Sequence, residues 1–108
     1  MNRFRSMHFV IHNKCKVIYR EAMVKQLENK VFKTPITLSF YLFSPDRRNR
    51  DRANVLNIVE KFFCDALTHY GCIVDDCDKY IESTHYYSGE IDKSNPRVEV
   101  IIQEKEIR

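Results

Sequence analysis

Three aspartates carry the residue types that could hold a hard divalent cation. Asp51 lies in a short charged stretch, and Asp75 and Asp76 form an adjacent pair further on. Clustered carboxylates repel one another and raise one another's pKa, so such a group is tolerated mainly where a cation relieves the repulsion. Magnesium takes oxygen ligands of this kind, usually a few carboxylates completed by water and a substrate phosphate. A metal so held can activate a water and stabilise a leaving oxygen, which is the chemistry phosphodiester hydrolysis needs. Spacing alone favours reading Asp75-Asp76 as a solvated turn after a helix.

The surroundings of Asp51 match that chemistry. Arg47, Arg48, Arg50 and Arg52 fall within six positions around it. Arginines beside a metal-binding aspartate suit a phosphodiester backbone, because they neutralise phosphates without reading bases. Asn54, Ile58, Lys61 and Asp65 follow at steps of four, three and four, which puts them on one side of a helix. Lys61 on that side can contact a scissile phosphate or stabilise transition-state charge. Its bland alternative is a surface ion pair with Asp65, worth only a few tenths of a kcal/mol.

These residues must be positioned by a small set of elements. Apolar residues recur at helical steps from about His12 to Glu28, with Asn13 as a candidate N-cap. Ile36 to Phe43 alternates apolar and polar residues and predicts a strand. Ala53 to His69 predicts a second helix whose core stripe is Val55, Val59, Phe62, Phe63, Ala66 and Leu67, ended by Gly71. Tyr80 to Tyr87 and Arg97 to Gln103 predict two more strands, the last with Val98, Val100 and Ile102 on one face. Residues 1–11 are basic and aromatic without a clear period. The expected order is helix, strand, helix, strand, strand. The expected fold class is α+β, a small mixed sheet packed with two main helices. A helix of ~16 residues is ~24 Å long. Asp51 and the Asp75-Asp76 pair can therefore meet only if the chain after Gly71 folds back along the helix.

Bulk properties narrow the class. The 108 residues amount to one domain, 1–108. Hydrophobic residues at 44% and charged residues at 31% are ordinary for a globular protein. The net charge of +3 is mildly basic. No apolar run approaches the ~18 residues of a membrane span. Four cysteines occur with no CxxC pair, and no secretory signal precedes them. Free thiols in a reducing compartment such as the cytoplasm are the expectation, and zinc is not. A cysteine-based or metal-thiolate protein is the weakest of the function classes. His8, His12, His69 and His85 form no visible Cys–His or Ser–His–Asp grouping.

Three stretches together, RRNRDRANVLNIVEKFFCDAL, GCIVDD and DKSNPRVEV, resemble the RusA family of Holliday junction resolvases, especially its phage-borne branch. The opening NRFRSMHFVIHNKCKVIY resembles that branch as well. The resemblance implies a homodimer that binds four-way or branched DNA and makes paired symmetric nicks with magnesium, manganese being a substitute. It implies no small-molecule cofactor and no membrane. It places the metal on Asp51, Asp75 and Asp76, and adds Asn54 and Lys61 to the catalytic set. Asp65 matches the aspartate of the D-A-L motif. The basic loop would grip the DNA backbone, with Arg3, Arg5 and Lys14.

The chain departs from the family pattern in three places. Many members carry a carboxylate where this chain has Ala53, and they begin with a strand that is expected to be missing here. The helix is also longer between Asn54 and Asp65 than in the shorter branch. The competing expectation is therefore a RusA-like module that binds branched DNA or a protein partner without cleaving it.

Overall fold

The computed structural model describes residues 4–12, 23, 25–47 and 52–105, with backbone alone for 4–12 and 105. The described elements are strands β1 (Phe4–His12) and β2 (Ile36–Phe43), helix α1 (Arg52–His69), and strands β3 (Ile81–Ser88) and β4 (Arg97–Lys105). Residues 23 and 25–27 are helical and belong to the expected first helix. The rest of that prediction, with Asn13, lies outside the described residues. This segment ends at Asn29, whose φ of 61° is the left-handed conformation that asparagine tolerates at helix ends.

The four strands form one mixed sheet in the order β1-β4-β2-β3. β4 pairs antiparallel with both β1 and β2, and β2 pairs parallel with β3. A parallel pair needs a long crossover, and α1 with the loop after it supplies one. The α+β expectation with a small mixed sheet holds. One difference is β1, where the sequence shows no period. In the register, Met7, Phe9 and Ile11 stand opposite Ile102, Val100 and Val98.

One face of the sheet carries the core. Ile36, Leu38, Phe40 and Leu42 of β2 are buried beside Val98, Val100 and Ile102 of β4. α1 covers this face with Leu56, Val59, Phe63 and Leu67, and Met23 and Leu27 join the same core. The predicted helix stripe needs correction here. Phe62 is 46% exposed, while Leu56 is buried, as is Cys64. The spacing 56, 59, 63, 67 is one helical face, and Phe62 lies about 100° away from Phe63 around the axis.

The end of α1 sets where the following chain goes. Cys72 N–H donates to Leu67 C=O at 2.8 Å and Gly71 N–H to Thr68 C=O at 3.1 Å, the paired bonds of a Schellman cap. Gly71 has a φ of +71°, and a Cβ there would meet nothing within 4 Å. The expected cost of Gly71→Ala is therefore conformational alone, about 1–2 kcal/mol. Urea denaturation checks it through a lower midpoint at unchanged slope.

Candidate functional site

Residues 72–80 return from the helix end to the start of β3. Cys72 and Ile73 are buried. Cys72 C=O accepts Phe32 N–H at 2.9 Å, and Tyr80 C=O accepts Ile36 N–H at 2.9 Å. A turn at Cys77, whose carbonyl accepts the N–H groups of Tyr80 and Ile81, directs the chain into β3. The loop is thus tied at both ends, and its middle lies beside the helix.

A polar cleft of about 350 Å³ opens there, lined by Asn57, Glu60, Lys61, Cys64, Asp76, Asp78, Ile81 and Thr84. Two residues predicted from sequence, Lys61 and Asp76, meet in it. Asp75 is exposed next to Asp76, and its Oδ1 accepts the Asp76 N–H at 2.8 Å. The chain after Gly71 does fold back along α1, as far as the turns that carry Asn57 to Cys64. Asn57 lies five residues, or about 7.5 Å of helical rise, beyond Arg52. Asp51, Arg48, Arg50, Arg3 and Lys14 lie outside the described residues, and Arg5 is described by backbone only, opposite Glu104.

The remaining predicted residues are spread along α1 and its approach. Asn54 and Asp65 are exposed on the helix, and Arg47 is exposed in the preceding loop. Arg52 begins the helix and donates from Nη1 to Ser88 Oγ at 2.9 Å, which ties the helix start to the end of β3. The turn after β3 holds the start of the basic loop. Gly89 N–H donates to Leu42 C=O and Asp92 N–H to Ser44 C=O, both at 2.8 Å. Arg97 braces this corner, 2.7 Å from Asp92 and 2.6 Å from Glu99, with its guanidinium 4.1 Å from the Phe43 ring centre. The Arg97 hydrogen bond holds the Asp92 carboxyl below the usual range.

Asn57, Glu60, Cys64 and Thr84 are cleft residues that sequence reasoning passed over. The signal was present in part, because 57, 60, 61 and 64 follow the i, i+3, i+4, i+7 spacing of one helix face. Cys64 is a buried thiol of that face. Burial first, then the charges of Glu60, Asp76 and Asp65, push its pKa up to about 12. It stays protonated at neutral pH, which argues against a resting thiolate nucleophile there. Tyr86 donates its hydroxyl to Glu60 Oε1. Burial and that bond hold the phenol well above its ordinary range, so it acts as a donor.

Chemically the cleft offers hard oxygen donors with one ammonium beside them. Among the described residues, no three His, Cys, Asp or Glu side chains lie close enough together to hold a metal ion. Asp51 is not among those residues. The carboxylate oxygens of Glu60, Asp76 and Asp78 are hard donors of the kind that suit a cation such as magnesium.

No family model matches the chain, and no curated protein matches it. Among the described residues, no helix is long and apolar enough to cross a membrane.

Proposed function

We propose that the chain is a magnesium-dependent endonuclease of the RusA type that nicks Holliday junctions and other branched DNA, working in recombination and repair as a homodimer in the cytoplasm. The observation that carries the reading is the meeting of Lys61 and Asp76 in one polar cleft, two residues 15 positions apart in sequence. That meeting required the return of the chain along α1. A two-fold dimer suits the two equivalent strands of a four-way junction.

In this reading Asp51, Asp75 and Asp76 hold Mg²⁺, with Mn²⁺ as a substitute. The ion, when bound, supplies charge stabilisation and a more acidic water. Lys61 contacts the scissile phosphate and offsets charge that develops on its oxygens. Asn54, exposed one turn before the cleft residues, contributes a polar group toward the same strand. Arg47, Arg48, Arg50 and Arg52 hold the flanking backbone phosphates, with Arg3, Arg5 and Lys14 beyond them.

Arg47→Ala is expected to weaken junction binding without changing which junctions are preferred. Each lost phosphate contact lowers the slope of log affinity against log salt by about 0.9. A salt titration of binding to a labelled junction in EDTA checks it.

Ala53 favours a second reading. It stands where many RusA members have a carboxylate, so the fold could bind branched DNA, or a protein partner, without cutting it. Asp51→Asn separates the two. The nuclease reading expects nicking to disappear while junction binding remains. The binding reading expects neither wild type nor Asp51→Asn to nick, and both to bind alike.

A further inference from the structure

We propose that Glu60 is a further catalytic residue of the Lys61–Asp76 cleft, holding the water that attacks phosphorus, with Tyr86 as the residue that positions it. The inference deepens the nuclease reading above and rests on it.

Glu60 lines the cleft from the same helix face as Asn57, Lys61 and Cys64. Adjacent residues on a helix do not face each other, so Lys61 is not the natural partner of Glu60. The partner comes from another element. The Tyr86 hydroxyl, on β3, donates to Glu60 Oε1. Tyr86 in turn sits edge-on against Phe40 at 5.9 Å, and Phe40 sits edge-on against Phe63 at 6.0 Å. A rigid chain of rings therefore runs from the core to one carboxylate oxygen at the cleft.

A glutamate on a helix surface ordinarily samples several rotamers, and ordering it costs entropy at the moment of reaction. The bond from Tyr86 settles that cost during folding. A carboxylate accepts about four hydrogen bonds in all. One bond from Tyr86 leaves capacity for a water in the cleft. In the step itself, the oxygen of that water forms the new bond to phosphorus. The bond from phosphorus to the leaving sugar oxygen breaks. The proton of the water passes to solvent, and the leaving oxygen takes one from solvent.

The bland alternative is a tether between helix and strand, important only for stability. Single-turnover nicking, junction Kd and thermal melting of wild type, Glu60→Gln and Tyr86→Phe separate the two. Glutamine keeps the shape of the side chain and an oxygen for the Tyr86 hydroxyl. Glu60→Gln replaces the oxygen that accepts from the water with an NH₂ group, and is expected to lose roughly 10²-fold in nicking rate with Kd and Tm unchanged. Tyr86→Phe keeps the carboxylate but frees it, and is expected to lose about 10-fold, again with Kd unchanged. Wild-type nicking by Glu60→Gln overturns the proposal and leaves the nuclease reading intact. Losses that follow Tm or Kd rather than the rate also overturn it. A wild type that nicks no junction in any divalent metal removes the nuclease reading itself, and this proposal with it.

Discussion

Lys61→Ala is expected to lower magnesium-dependent nicking by roughly 10²–10³-fold while leaving junction binding in EDTA nearly unchanged. The cleft is small, so a single ammonium beside Asp76 is a large part of its positive charge. A cation fixed where charge develops on the phosphate stabilises the transition state more than the ground state. Only that difference changes the rate. Binding is expected to survive because, in the proposed reading, many phosphate contacts would hold the duplex arms and Lys61 would be one of them. Lys61 is exposed on α1, so its removal opens no cavity and costs little stability. Lys61→Arg is expected to recover only part of the loss, because a planar fork does not replace a compact point charge. Single-turnover kinetics beside a binding titration check all three statements. A Kd that rises in step with the rate loss would assign Lys61 to binding instead.

Phe63→Ala is expected to destabilise the fold by about 3–5 kcal/mol. Phe63 is fully buried and meets Phe40 edge-on. Phe40 passes the contact to Tyr86 and so to Glu60. A loss of that size is a large fraction of the ~5–15 kcal/mol typical of a domain. Phe62→Ala, one residue earlier, is expected to cost about 1 kcal/mol or less, since Phe62 is 46% exposed. Parallel urea melts of the two variants check the orientation of the helix directly. Equal losses would mean that α1 is rotated from the face described.

The sequence was most legible where one period dominated. ITLSFYLF alternates strictly, and β2 spans the residues predicted, Ile36–Phe43. α1 was read to within one residue, because a long apolar period and Gly71 mark it. β1 escaped because FRSMHFVIH has apolar residues on both alternating sets, Phe4 and Val10 on one and Met7, Phe9 and Ile11 on the other. No single face stood out. The core face of α1 was misjudged for a related reason. Its apolar residues cover a wider arc than the sheet can reach, and packing on Phe40 selected Phe63 over Phe62.

The candidate site was legible as a list and not as a place. Residue types and order pointed to Asp76 and Lys61. Their meeting depended on how residues 72–80 turn, which rests on long-range bonds to Phe32 and Ile36 that no local pattern announces. The same holds for Glu60. Nothing in the surrounding sequence indicates a tyrosine 26 residues later as its partner.

The most direct test of the account is nicking of a labelled synthetic four-way junction, with magnesium against EDTA, by wild type and Asp76→Asn. The account predicts paired symmetric nicks that require magnesium and vanish in the variant, with junction binding kept. Tight binding without cleavage in any divalent metal, or normal cleavage by Asp76→Asn, would contradict it.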